Sequence, residues 1–554
     1  MSIQQLLTFE GGLSTKISPH LIGRNEGIKC ENVNLETGTL LPLTQCYEET
    51  TKTGKYCHYF SGNIISNTDA TDERFYVEYA NRLYWSNAGY GTYGLMRYDG
   101  TDAGIVAEAP ASPQNITDIT IAEWNDTADD NGHLTMGGTY YYAFTSVDSN
   151  GTESAPTYHP TSITINVLAK RSIKISVDSD NVFDNIIPTG HTVNIYRTGG
   201  DNPTYNLIAS GLSPAETICS AGESCYRDNT ADIDITRIEL TTIDNTPPPA
   251  SLDMLIESLG TFWGASGKYV YFSKVGRPEF WGSLDFVALD SECTGLGKFG
   301  NNIYAFTVRG VYQIEGYSRD TVTVTKLPFN QGCVHKDTIT NLDGYMLWVS
   351  KNGICMYDGS SINVITKQSI AWNTFATVGN LTYEDFNAEE KWTSGLGFEI
   401  TYSIGYKDRY YGVYSNGLFI IDFANGSNVT TIDIPDSRSL FINYATNVVN
   451  VVIEDVSNFK VNTLEGTDNP MTATWKTGEI SDEGSNVDKH YRDVTIDGTP
   501  NSIEIFVDGE SKKVYTNKNR FKLPAGCIGS NIQFEIITDS EIRGLKYNYS
   551  QLKA

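Results

Sequence analysis

Two cysteines stand close together in CSAGESC, Cys219 and Cys225. Such a pair can close a disulfide or offer two thiolates to a metal. A tetrahedral zinc site needs four Cys or His ligands, commonly as two such pairs. The sequence has neither a second pair nor a His nearby, so no metal is expected there. The other seven cysteines (Cys30, Cys46, Cys57, Cys293, Cys333, Cys355 and Cys527) are scattered. An odd total of nine fits free buried thiols in a reducing compartment better than a disulfide framework. Adjacent carboxylates occur at Asp129–Asp130 and Glu389–Glu390, both in acidic loops. Glycoside hydrolysis needs two carboxylates converging across a cleft, which spacing alone does not give. The stretch NDTADDNGH, Asn125 to His133, is rich in oxygen ligands but misses the twelve-residue calcium-loop pattern, and a solvated turn is expected. His335, in CVHKD, is as suited to packing as to acting as a base. G-x-S-x-G, H-E-x-x-H and the phosphate-loop Gly-Lys-Ser/Thr are absent. No catalytic set, metal site or cofactor is expected.

The elements that would position any site are strands. YMLWVSKNGICMYDGSS, Tyr345 to Ser361, is an apolar-aromatic run, an Asn-Gly turn and a second apolar run, the pattern of a β-hairpin. Four other stretches share it: RFYVEYANRLYWS, TFWGASGKYVYFS, YAFTVRGVYQIEG and RYYGVYSNGLFIIDF. The five turn positions are Asn81, Gly267, Gly310, Gly353 and Gly417. The gaps from Gly267 to Gly310 and from Gly310 to Gly353 are both 43 residues. A strand-only period in the forties predicts the four-stranded blades of a β-propeller, in preference to an irregular β-sandwich. The gap from Gly353 to Gly417 is 64, longer by the acidic loop TYEDFNAEEKW. The gap from Asn81 to Gly267 is 186, which leaves about 143 residues inserted between two units. LMRYDGT and ICMYDGS repeat an apolar strand ended by Tyr-Asp-Gly. About six blades are expected.

The insertion, residues 106–250, is bounded by the Pro-rich junctions AEAPASP and IDNTPPPASL. Its strand and turn order resembles an immunoglobulin or fibronectin type III-like sandwich. On the strand through YYYAF, Tyr142 and Phe144 share a face opposite Tyr141, because side chains alternate. Beyond residue 456, segments such as SIEIFVDG alternate apolar with polar and predict a C-terminal β-sandwich. The expected organisation is therefore 1–50 as an N-terminal strap with first strands, 51–105 and 251–455 as propeller, 106–250 as inserted sandwich and 456–554 as the closing sandwich. The fold class expected is all-β.

Composition agrees. Hydrophobic residues are 40% and charged residues 19%, with Tyr 34, Gly 50 and Met 7, a balance that favours strands and turns. A formal charge of −27 repels phosphates and argues against a tight nucleic-acid grip. No apolar run long enough for a membrane helix is present, and MSIQQLLTFEGG lacks the parts of a secretory signal.

The opening MSIQQLLTFEGGLSTKISPHLIGRNEGIKCENVNLETGTLLP carries a Gly-Gly-Leu-x-Thr segment, a Leu-Ile and an Asn-Val-Asn before a Gly-turn hairpin. With the hairpins above, SKVGRPEFW (Ser273 to Trp281) and the β-rich C-terminus, it resembles the tail hub or nozzle proteins of short-tailed bacteriophages. These are the packaged-DNA stabilisation or tail tubular B-like proteins. The inserted sandwich departs from the simplest members. The resemblance implies a structural virion protein and not an enzyme. It implies a homo-hexamer seated on a portal or adaptor ring and contacting tail fibre or tail spike proteins. Genomic double-stranded DNA would pass through its channel without specific binding, after assembly in the host bacterial cytoplasm. Which residues line or gate that channel is not legible. A propeller adhesin that stacks sugars on Tyr and Trp, and a propeller glycosidase, are the other two readings.

Overall fold

The computed structural model describes residues 3–552, except 15–20, 36, 68–72, 87–93, 99, 101–111, 125–132, 150, 167–170, 178–185, 201, 214–217, 221–222, 368–399, 415–416, 425–427, 457 and 483–486. The fold is all-β. The only helical elements among the described residues are three single 3-10 turns, Ile116–Asp118, Lys336–Thr338 and Ile365–Lys367. The chain divides into two units, one of residues 1–74, 289–315 and 323–554, the other of residues 75–288 and 316–322.

The first unit contains a series of antiparallel meanders. One runs Gly295–Phe299, Asn302–Thr307, Gly310–Glu315, Thr323–Lys326; the next Thr340–Leu342, Tyr345–Ser350, Gly353–Tyr357, Ile362–Val364. The third runs Tyr402–Tyr406, Arg409–Tyr414, Gly417–Asp422, Asn428–Asp433. In the fourth, Ser437–Asn443, Val448–Asp455 and Asn458–Thr463 are completed by Tyr47–Lys52, from the opposite end of the chain. Asn458–Thr463, placed by the sequence with the closing segment, thus belongs to this meander.

These strands are not half-wet. Met346, Leu347, Trp348 and Val349 are all fully buried. Met346 and Trp348 pack with Tyr304 and Phe306 of the preceding meander, the Phe306 and Trp348 rings 5.0 Å apart. Leu347 and Val349 share a core with Tyr410, Phe419 and Ile421 of the following one. The far face of that third meander, Tyr411, Val413, Leu418 and Ile420, meets Leu440, Val449 and Val451 of the fourth. Phe441, Val452 and Val461 then cover Cys57 of the hairpin Cys57–Phe60/Asn63–Ser66. Each sheet is covered on both faces, which is why its central strands read as continuous apolar runs rather than strict alternation.

The C-terminal segment forms two sheets over one core that holds Trp475, Ile505, Phe534, Tyr547 and Tyr549. One sheet is ordered Ile3–Leu7, Gly544–Gln551, Lys489–Asp497, Arg520–Lys522. The other is ordered Gly27–Glu31, Ala473–Thr477, Ile532–Thr538, Ser502–Val507, Glu510–Thr516. Gly27–Glu31 also lies parallel to Asn428–Asp433, so this sheet runs on into the third meander. The N-terminal residues read as a strap therefore supply one strand to each sheet. Pairing between distant segments leaves no local signal, so the sequence boundaries at 50 and 456 do not coincide with the sheets.

The second unit holds a three-stranded meander, Tyr76–Tyr79, Arg82–Ser86, Leu95–Tyr98, and a four-stranded one, Met254–Ser258, Thr261–Ser266, Tyr269–Phe272, Phe286–Ala288. Tyr84, Leu95, Leu255 and Phe262 join them in one core. Between them in sequence lie two four-stranded sheets, besides the short pair Thr139–Tyr140 and Ile163–Thr164. One is ordered Ile119–Trp124, Ser172–Val177, Glu223–Asp228, Ile218–Ser220; the other Thr157–Tyr158, Tyr142–Val147, Thr192–Thr198, Tyr205–Leu212. Tyr142 and Phe144 point into their shared core with Ile173, Ile175 and Ile195, while Tyr141 is 46% exposed.

The turn positions fall into two classes. Gly267, Gly310, Gly353 and Gly417 follow the second strand of their meanders, whereas Asn81 follows the first. The sequence grouped all five as equivalent because both hairpins of a doubly covered sheet have apolar flanks. LMRYDG and ICMYDG do correspond, each ending a third strand. The insertion accordingly follows a third strand.

Glycine is required at some of these turns and not at others. Gly417 has φ +143°, and an added Cβ would be driven into the Ile432 carbonyl oxygen. Gly310 has no positive φ, and its added Cβ would meet only the flexible end of Lys326, at 3.3 Å. Gly417→Ala is expected to destabilise by about 3 kcal/mol, and Gly310→Ala by less than about 0.5 kcal/mol. Denaturant titration checks the pair, and equal losses would contradict the requirement for glycine at 417 and not at 310.

Candidate functional site

The residues singled out in the sequence do not converge. Cys225 is disulfide-bonded, and the Cys219 side chain lies outside the described residues. Most of NDTADDNGH, all of the Thr382–Trp392 loop and both adjacent carboxylate pairs also lie outside them. Cys30, Cys46, Cys57, Cys293, Cys333, Cys355 and Cys527 are free thiols, and all but Cys46 are buried. Burial pushes Cys57, Cys333 and Cys355 up to about 12, so none is a thiolate at neutral pH. Among the described residues no group of three His, Cys, Asp or Glu is placed to hold a metal, and no helix is long and apolar enough to cross a membrane.

Two sites were invisible in the sequence. The first is built on the 3-10 turn Lys336–Thr338, which leads into the second meander of the first unit. Thr338 fixes that turn: its hydroxyl donates to the His335 carbonyl at 2.6 Å and accepts from the Val349 amide at 3.2 Å. Asp337 is thereby held against Tyr56, whose hydroxyl donates to Asp337 Oδ2 at 3.1 Å. Tyr56 is itself buried, its amide donating to Asn67 Oδ1 at 2.9 Å and its ring 6.2 Å from that of Tyr402. Lys336 is ion-paired with Glu73. Loss of hydration raises the Asp337 carboxyl from its usual 3.8 to about 7, and the nearby Glu73 charge adds to the rise. The Tyr56 hydroxyl, Lys336 and Lys55 pull the other way but do not cancel it. Asp337 therefore exchanges a proton near neutrality. It has the pKa of a general acid or base, and its hydroxyl partner is Tyr56.

The second site is a cleft of about 410 Å³ lined by Tyr406, Lys407, Arg409, Asp422, Asn447 and Glu465, among others. Arg409 Nε donates to Asp422 Oδ2 at 2.8 Å and the Tyr406 hydroxyl donates to the Asn447 carbonyl at 2.9 Å. Its charges answer one another, so it suits a polar ligand of mixed charge rather than an anion or a cation alone.

The insertion hides a third polar centre. Val193, Ile195 and Arg197 alternate onto one face, and Arg197 takes a core position with no exposure. Its Nη1 donates to Asp228 Oδ2 at 2.9 Å, and its Nη2 donates to the Thr230 carbonyl at 3.0 Å and to Asp232 Oδ1 at 3.2 Å. The Tyr142 hydroxyl donates to the same Asp228 oxygen at 2.7 Å, and the Tyr140 hydroxyl donates to Asp232 at 2.8 Å. Burial raises the Asp228 carboxyl and Arg197 opposes that rise. The cue in the sequence was a charged residue at an inward position of NIYRT. Both Nη atoms of Arg197 are engaged while its Nε has no partner among the described residues, and the ion pairs tie two strands of the insertion together.

No protein-family model matches the chain, and no curated protein does. Similar solved structures include apo AztD from Citrobacter koseri, with a TM-score of 0.27 and 10% identity over 72% of this chain and 98% of that one. The Myxococcus xanthus glutaminyl cyclase gives 0.22 and 12% over 38% and 90%, and the Neurospora crassa Pan2 WD40 domain 0.25 and 9% over 53% and 83%. TM-scores this low assign neither fold nor function.

Two outcomes follow from the buried charges. Arg197→Ala leaves Asp228 buried without its countercharge and should cost about 3–5 kcal/mol in chemical denaturation of the 75–288 unit; a loss under about 1 kcal/mol would refute the pairing. For Asp337, the folded chain keeps a proton that the unfolded chain releases above its usual pKa. Stability therefore falls as pH rises from about 4 to about 7 and levels off above. Asp337→Asn removes that slope. Its melting temperature relative to wild type should rise between about pH 5 and pH 8, and a constant difference would disprove the raised pKa.

Proposed function

We propose that this protein is a structural virion component, a tail hub or nozzle that assembles as a hexamer, retains packaged DNA and conducts it during ejection. The observation that carries this is the stacking of successive meanders face to face, with the fourth completed by Tyr47–Lys52. That is how blades of a β-propeller pack, and a strand from the far end of the chain is a direct way to close such a ring. In this proposal each meander, like the hairpin at 57–66, is a blade. The two sheets within 106–250 are an inserted immunoglobulin-like sandwich, and the two C-terminal sheets are a second sandwich.

Chemistry supports a conduit more than a catalyst. Burial keeps the Cys57, Cys333 and Cys355 thiols protonated, and the buried Arg197 is ion-paired with Asp228 and Asp232. A surface with formal charge −27 lets duplex DNA slide rather than adhere. Portal or adaptor proteins and tail fibres or spikes are the proposed partners, and the virion tail is the proposed location.

A second reading has one observation in its favour. Tyr141 and Tyr158 are exposed on the insertion, with the Tyr158 ring 5.2 Å from that of Tyr205. Aromatic faces of this kind stack on sugar rings, as an adhesin would require.

Purified protein in negative stain, together with its mass in solution, separates the two. Six-fold rings with an axial hole are expected. A stable monomer that is retained by a glycan array would overturn the tail assignment in favour of the adhesin.

A further inference from the structure

The acidic chain carries one concentrated basic surface. Between Glu510 and Lys522 stand Lys512, Lys513, Lys518, Arg520 and Lys522 against a single carboxylate, Glu510. Lys512 pairs with Glu510 at 2.7 Å, but Lys513, Lys518, Arg520 and Lys522 are exposed and have no ion pair among the described residues. Lys512 and Lys513 stand on the edge strand of one C-terminal sheet, and Arg520 and Lys522 on the edge strand of the other. Arg520 lies opposite Thr495, which lies opposite Lys546 on the next strand, so the three form one cross-strand row. Lys522 begins the next row with Asp493, and that carboxylate accepts from Asn548 Nδ2 at 2.7 Å. Lys518 sits 6.0 Å above the Tyr515 ring, which stacks on Phe521 at 3.9 Å.

Lysines on an edge strand keep sheets from pairing edge to edge. That accounts for Lys512 and Lys513 on the outermost strand Glu510–Thr516. It also accounts for Arg520 and Lys522, on the edge strand of the other sheet, but not for Lys546, which stands on an inner strand. The cations are also interleaved with exposed apolar groups. Leu6, directly across from Lys546, is 53% exposed and Ile528 is 43%. A phosphate backbone gains nothing from such groups, whereas a protein surface buries them.

We infer that this basic face of the C-terminal sheet is the contact through which one copy of the chain docks on the acidic surface of a second copy. The inference rests on the self-assembly proposed above and adds where the copies touch. With net charge −27 despite this patch, the remainder of each chain is more acidic still, and a neighbouring copy offers the complement. Distant like charges are screened beyond a Debye length of about 8–10 Å, so local complementarity decides the contact.

The test is a triple charge reversal, Lys518→Glu/Arg520→Glu/Lys522→Glu, with mass in solution read at low and high salt beside the wild type. The expected result is a wild-type oligomer that loosens with salt and a variant that is monomeric with unchanged circular dichroism, its association weakened by roughly tenfold or more. A variant that still assembles like wild type overturns the inference and leaves the proposed assembly standing. A wild type that is monomeric under all conditions overturns both. Should the triple variant misfold, Lys546→Glu alone must shift the salt midpoint of dissociation downward, and an unshifted midpoint overturns the inference. A duplex oligonucleotide retained by wild type and lost by a variant whose assembly is intact would assign the patch to polyanions instead, again overturning it.

Discussion

The ladder between Tyr47–Lys52 and Asn458–Thr463 is the constraint on which the first unit depends. Without it the fourth meander would expose the open edge of Asn458–Thr463. A backbone ladder is hard to break one bond at a time, because each amide left unpaired in a covered sheet costs the desolvation of its partner. Gly27–Glu31 adds a second such tie, pairing on one side with Ala473–Thr477 and on the other with Asn428–Asp433. The N-terminal residues thus act as structural members that couple the third meander to the C-terminal sheets.

Face-to-face burial is the second theme. In Tyr345–Ser350, even-numbered side chains pack backward and odd-numbered ones forward, so one strand belongs to two cores at once. The same division runs through Arg409–Tyr414, whose Tyr410 and Tyr411 enter different cores. A substitution at such a position is felt in two sheets, which makes the series mechanically continuous. That continuity is what a passage under internal pressure would require.

The buried ionisable groups show how context sets their roles. Arg197 and Asp228 lose their hydration together and answer each other, with the Tyr142 hydroxyl on the carboxylate and the Thr230 carbonyl on the guanidinium. Asp337 loses hydration beside Glu73, a like charge, and has mainly a tyrosine hydroxyl in return. The first arrangement locks the insertion; the second leaves a carboxyl that titrates near neutrality. The uncompensated positive face at Lys518–Lys522 is a different case, since exposed cations keep their hydration and cost the fold little.

The 43-residue spacing and the Gly turns placed the meanders because these are local signals: strand runs, positive-φ corners and apolar flanks are written within a dozen residues of one another. The all-β class and the inward direction of Tyr142 and Phe144, opposite Tyr141, have the same origin. The order of strands across the chain was not legible. Nothing in YEETTK announces that it will complete a sheet with NFKVNT, and nothing in IQQLL places it beside the last strand. Nor could Asp337 be told from any other aspartate, since its raised pKa comes from burial and from Glu73, a residue remote in sequence that only the folded chain brings near. Sequence determined which segments are strands, because conformation and amphipathic pattern are local; tertiary structure decided which strands meet and which charges are buried, because both depend on desolvation by residues far away along the chain.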